Sequence, residues 1–121
     1  MSTNKQTIDG NLYPAEAELV DAIYQGAQAK LTDEPGIETR FATMQPLNTL
    51  LSDVIDFNVI VNENIGESLD ALKARFLERV EARQAERLSI REQRLERGRS
   101  TVVVDQALAV SDALRETITS L

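Results

Sequence analysis

Apolar residues recur at steps of three and four through most of the chain, the signature of helices buried along one face. Leu19, Val20, Ile23, Tyr24, Ala27 and Leu31 form one such stripe, entered by Pro14, which suits a first helical position. This predicts a helix from Pro14 to Lys30 or Leu31, with Gly26 inside it as a place for another backbone to approach closely. Leu47, Leu50, Leu51, Val54, Ile55 and Phe57 predict a second helix from about Pro46 to Asn62. Phe57 to Asn62 also alternates like a β-strand, but no second strand flanks it to pair with, and length favours helix.

Ile65, Leu69, Leu72, Phe76 and Val80 open a longer stripe, and at the same spacing it runs on into Arg83, Arg87, Arg91 and Arg94. Between Glu67 and Arg97 there is no Gly or Pro, and Ala, Leu, Glu, Gln and Arg dominate. Gly98 stands where a C′ glycine ends such a helix. A helix over about 67–97 would span ~46 Å at 1.5 Å per residue, longer than the ~35 Å diameter of a globule of this size. A last helix, capped by Ser100 or Thr101, runs to about Ser120 on Val103, Ala107, Val110, Leu114 and Ile118.

The fold expected is all-α: three to four helices with one long protruding central helix, in a helical bundle or coiled-coil-like assembly. Residues 1–13 read as a flexible N-terminal arm and 14–121 as a single helical domain. Pro35-Gly36, within Thr32 to Thr39, marks the clearest loop. With 121 residues, 42% hydrophobic and only 4% aromatic, the core must be built from Leu, Ile, Val and Ala.

The chain has no Cys and no His, which removes thiol nucleophiles, disulfides, Cys/His zinc sites and the usual neutral-pH general base. Asp53/Asp56 and Glu16/Glu18 are the carboxylate pairs that acid–base or metal chemistry could use. Asp33-Glu34 lacks the ligand spacing of a calcium loop. All read as surface carboxylates, and no phosphate loop or nucleophile motif accompanies them. The expectation is no enzyme, no catalytic or metal site, no cofactor and no small-molecule substrate. Nor is there a hydrophobic signal core or an apolar run of membrane-spanning length, so a soluble chain, cytoplasmic or particle-associated, is expected.

Charge changes the picture of the long helix. Residues 1–72 hold three Lys/Arg against twelve Asp/Glu, residues 73–99 nine against five, and residues 100–121 one against three. The chain's net −7 thus conceals a basic segment between acidic flanks. Arg75, Arg79, Arg83, Arg87 and Arg91 fall every four residues. Nucleic acid is disfavoured, because glutamates intersperse the row and stacking aromatics are missing. Arg in preference to Lys suits geometric pairing with carboxylates, in cis or from another chain. Read plainly, the distal half is a solvated charged helix. Read functionally, it docks on self or other subunits through Arg83, Arg87, Arg91 and Arg94 with Leu88 and Leu95. Asn58, Asn62 and Asn64 either lie on the exposed side or set register in a helical seam. The function expected is a structural or assembly subunit of a homo-oligomer or multi-protein particle, a virion or secretion apparatus being typical settings by analogy. The alternative is a small acidic adaptor, chaperone or regulator that holds one partner by helix packing.

Overall fold

The structure, a computed structural model, describes residues 14–32 and 40–121, with the side chains of 15–32 and 46–121. It consists of four helices: α1 (Pro14–Thr32), α2 (Arg40–Glu63), α3 (Leu69–Glu96) and α4 (Val102–Ser120). Among the described residues there is no strand, and the Phe57–Asn62 segment is helical, as its length required. The expected N-terminal arm and residues 33–39 of the expected loop lie outside the described residues.

The ends of α3 follow from local chemistry. Ser68, in extended conformation, accepts a hydrogen bond on its hydroxyl from the Ala71 N–H at 3.1 Å and caps the N-terminus. At the other end Gly98 takes φ of 66°, Arg99 N–H donates to Arg94 C=O at 2.8 Å, and Gly98 N–H donates to Leu95 C=O at 3.1 Å. Those two bonds are a Schellman motif, which needs a residue at ease with positive φ where Gly98 stands. α2 departs from expectation. It starts at Arg40, so Pro46 lies inside the helix and not at its first position. The proline ring withholds one backbone donor there but is fully buried, and that burial offsets part of the loss.

α2 and α3 run antiparallel, since Asp53 meets Arg87 while Asp56 meets Arg83 and Arg79. α3 and α4 are antiparallel too: Arg91 pairs with Asp105 near one end, and Lys73 donates to the Leu121 carbonyl at the other. The core draws on every helix, with Ile23 and Ala27 from α1, Leu50 and Phe57 from α2, Leu72 and Phe76 from α3, and Val110 and Leu114 from α4. Phe57 and Phe76 stack with ring centroids 4.6 Å apart and planes 24° from parallel. α3 is ~42 Å long at 1.5 Å per residue. α2 and α4 line it as far as Arg91, and residues 92–99 are all exposed. The overhang is confined to that last turn and a half.

Gly26 marks a close approach of α1 to Thr117 of α4. A Cβ built there would lie 2.6 Å from Thr117 Cγ2. Gly26→Ala is therefore expected to destabilise by about 1–2 kcal/mol, overpacking exceeding the gain in helix propensity. Adding Thr117→Ser, which removes that methyl and keeps the hydroxyl bonded to Ala113 C=O, should restore the loss in a denaturant titration.

Candidate functional site

The arginine row of α3 faces inward. Arg87 grips Asp53 with both terminal nitrogens, at 3.0 and 2.9 Å, and the same guanidinium reaches Ser111 Oγ at 2.7 Å and Ala107 C=O at 3.2 Å on α4. Asp53 keeps 5% of its side-chain surface and Arg87 12%. One cation thus ties three helices together in a nearly dry setting, where bidentate geometry is what compensates desolvation. Next to it Arg83 donates to Asp56, and Arg79 reaches the same oxygen at 3.4 Å. Arg83 Nε is buried without a hydrogen-bond partner, 3.7 Å from Asp53 Oδ1. Burial opposes the charge of Arg83, but the hydrogen bond it donates to Asp56 and the charges of Asp56 and Asp53 outweigh it and hold its pKa above the ordinary arginine value.

The row continues outward at both ends. Arg91 Nε donates to Asp105 at 2.7 Å, and Arg94 Nε to the Ser100 carbonyl at 2.6 Å. Arg75 holds Glu67 by two bonds of 2.6 and 2.7 Å, which depress the Glu67 pKa below the carboxylate range. Gln84 donates to Asp112 of α4 at 2.8 Å.

One expectation is corrected here. Asp53 and Asp56 were read as surface carboxylates, yet Asp53 is buried and both are held by arginines of α3. Its spacing explains this: Asp53 stands between Leu50 and Phe57 at steps of three and four, on the core side of α2. Arg83, Arg87, Arg91 and Arg94 were expected to pair with carboxylates either in cis or on another chain. The first three meet α2 and α4 of their own chain, and Arg94 meets the α3–α4 connection. Leu88 and Leu95, grouped with them, are half exposed, at 51% and 52%.

Turning the arginines inward leaves glutamates outside. Glu78, Glu81, Glu86, Glu92 and Glu96 are all exposed on α3. A segment that is basic in sequence therefore presents a surface of mixed charge, with Arg75, Arg79, Arg94, Arg97 and Arg99 exposed beside these glutamates. Asn64, weighed as a register residue, donates its side-chain amide to Ile60 C=O at 2.8 Å and so closes the end of α2. Asn58 is half-buried and Asn62 exposed.

Asp105 is held below its ordinary pKa by hydrogen bonds from Arg91 and then Thr101. A depressed carboxylate stabilises above its unfolded pKa, ~3.9, and that contribution is lost as pH falls through the lower folded value. Loosening of the first turn of α4 is thus expected only in acid below about pH 4. Carboxyl NMR titration should show the Asp105 midpoint rising toward ~3.9 in Arg91→Ala.

Among the described residues no group of three or more Asp, Glu, His or Cys is placed to hold a metal ion, and no helix is long and apolar enough to cross a membrane. An open groove of about 500 Å³ lies where the start of α4 meets the distal part of α3, lined by Ile90, Arg94, Val103 and Ala107 among others.

A second open surface is apolar and belongs to α2. Leu51, Ile55 and Val59, one turn apart, are exposed at 50%, 53% and 47%. A groove of about 260 Å³ between α1 and α2, where Tyr24 lies opposite Leu51 and Asn58, borders this ridge. In sequence, Leu51 and Ile55 stand among the apolar residues at helical spacing that predict α2. The signal that separates them is that Leu50, Val54, Phe57 and Val61 already complete a buried face, so the neighbouring apolar line is surplus. Comparison with protein-family models, with curated proteins and with solved structures gives no match, and the functional reading therefore rests on this geometry.

Proposed function

We propose that the chain is a non-enzymatic structural or assembly subunit of a homo-oligomer or multi-protein particle, with helix faces as its contact surfaces. A virion or a secretion apparatus is a typical setting for such a subunit, by analogy. The observation that carries this reading is the Leu51–Ile55–Val59 ridge. Single exposed apolar residues are ordinary, but a contiguous row over about two helical turns is what association surfaces offer. The carboxylate pair that could have served acid–base chemistry, Asp53 and Asp56, is occupied by arginines, which favours a binding role over a catalytic one.

A second reading, a small acidic adaptor for one basic partner, draws on the chain's net charge of −7. Sedimentation equilibrium over a dilution series separates the two. Stoichiometric self-association, or co-purification in a fixed-ratio complex from the native source, supports the assembly reading. A monomer at all concentrations that binds only a basic partner protein, with an affinity that falls as salt rises, overturns it in favour of the adaptor.

A further inference from the structure

We infer that the outward face of α2 is a two-fold interface, and that its occupant is a second copy of this chain packed antiparallel about Ile55. The inference rests on the assembly reading and adds partner, face and register.

Charge selects the occupant. A second copy brings the same net −7, so like charges oppose each other over most of the surface. Outward charges mark the other three helices: Glu18, Asp21 and Lys30 on α1, the five glutamates of α3, and Asp105, Arg115 and Glu116 on α4. Between Asn48 and Asn62 the charged side chains of α2 are Asp53 and Asp56, and both turn to the arginines of α3. What remains outward is Asn48, Leu51, Ser52, Ile55, Val59 and Asn62, with Asn58 half-buried beside them. Charged residues are depleted at interface cores, and on this chain that condition is met along α2.

The order of residues selects the geometry. An isologous contact requires a surface complementary to itself, and this face reads alike in both directions from Ile55. In an antiparallel pairing centred there, Ile55 meets Ile55, Leu51 meets Val59, Ser52 meets Asn58 and Asn48 meets Asn62. Apolar residues oppose apolar ones and hydrogen-bonding groups oppose their like. Glu63, the first outward acid beyond the face, falls opposite Leu47 and not opposite its own copy. A parallel pairing would set Glu63 against Glu63. Asparagines in such a seam fix register at some cost in affinity. One helix face makes a contact at the small end of stable interfaces, so dissociation on the order of micromolar concentration is expected. Screening of like charges should tighten the dimer as salt rises, opposite to a contact held by ion pairs.

The chain has no cysteine, so disulfide trapping reads the register directly. Leu51→Cys and Val59→Cys variants of the full chain are oxidised singly and as an equimolar mixture, alongside Ile55→Cys and Leu88→Cys. Bridging needs Cα atoms within about 7 Å, whereas Leu51 and its own copy would be offset by ~12 Å in this register, eight residues at 1.5 Å. The expected result is rapid trapping of Ile55→Cys and of the Leu51→Cys/Val59→Cys mixture, at least about tenfold faster than either single variant or Leu88→Cys. Ile55→Glu should be monomeric by sedimentation with an unchanged helical spectrum. Trapping of Leu51→Cys alone as fast as the mixture overturns the register. Self-association that survives Ile55→Glu and is lost in Leu88→Glu overturns the face while leaving the assembly reading standing. A wild-type chain that stays monomeric at millimolar concentration and in high salt overturns this inference.

Discussion

Replacing Arg87 by Met is expected to destabilise the bundle by about 3–5 kcal/mol, because it strands the Asp53 carboxylate without its counter-ion in a site 5% exposed. At roughly 4 °C per kcal/mol the melting temperature would fall by about 12–20 °C. Arg83→Met should cost far less, about 1 kcal/mol, because Arg83 is twice as exposed, its Nε makes no bond, and Asp56 keeps Arg79. The double variant Asp53→Leu/Arg87→Met should recover to within about 1–2 kcal/mol of the wild type, since both buried charges leave together. Ser111 would then turn its hydroxyl to the Ala107 carbonyl, the other acceptor that Arg87 now serves. Thermal melts of the wild type, Asp53→Leu, Arg87→Met and the double variant close the cycle, with Arg83→Met alongside. Equal, small losses for Arg87→Met and Arg83→Met would show that the central pair is solvated and not buried. Reversing Arg83, Arg87 and Arg91 together to Glu is expected to unfold the chain, as it would set carboxylates against Asp53, Asp56 and Asp105.

Phe76→Ala is expected to cost a further kind of stability, about 3–5 kcal/mol, through a cavity at the centre of the apolar core. Phe76 is wholly buried and Phe57 nearly so, and their rings stack. Phe57→Ala should cost a similar amount. The double variant should lose about 0.5–1.5 kcal/mol less than the sum, the share belonging to the stack itself. Urea titration with a constant slope across the series would confirm that stability, and not the unfolded state, has changed. Strict additivity would mean that the rings touch without contributing a specific pair term.

Much of this architecture is legible in local pattern. Pro14 and the Gly98 Schellman turn mark the ends of α1 and α3, because these are decided by a few adjacent backbone groups. Leu72, Phe76 and Val80 declare a buried face by spacing alone. Pro46 misleads, because a proline is cheapest at a helix start and only tertiary burial lets α2 extend through it. The charge partners were beyond local reading: Asp53 and Arg87 are thirty-four positions apart. A hint was nonetheless present on each side. Asp53 interrupts the Leu50–Phe57 stripe, and Arg87 continues the Leu72–Phe76–Val80 stripe. Two opposite charges, each set on a core-facing line, are what a buried pair looks like before the helices meet. The ridge on α2 was hidden for the converse reason: Leu51 and Ile55 lie beside the core stripe, and which line is covered depends on the width of the neighbouring helices.

The spacing of the arginine row also governs how α3 can slide. Its members recur every four residues, a repeat of ~6 Å along the axis. Displacing α3 by one such repeat would bring Arg91 to Asp53 and Arg87 to Asp56, so the ion pairs form a ladder that is nearly degenerate under slippage. They hold the helices together without choosing among rungs. The apolar end of the same stripe makes the choice, for the same displacement would put Val80 in the place of Phe76 and drive the Gln84 amide into the buried seat of Val80. Alignment is therefore set at the Phe57–Phe76 end and transmitted to the arginines. A chain weakened at those rings would be left with charge pairs content in more than one alignment, a helical state with its ladder made and its rung undecided.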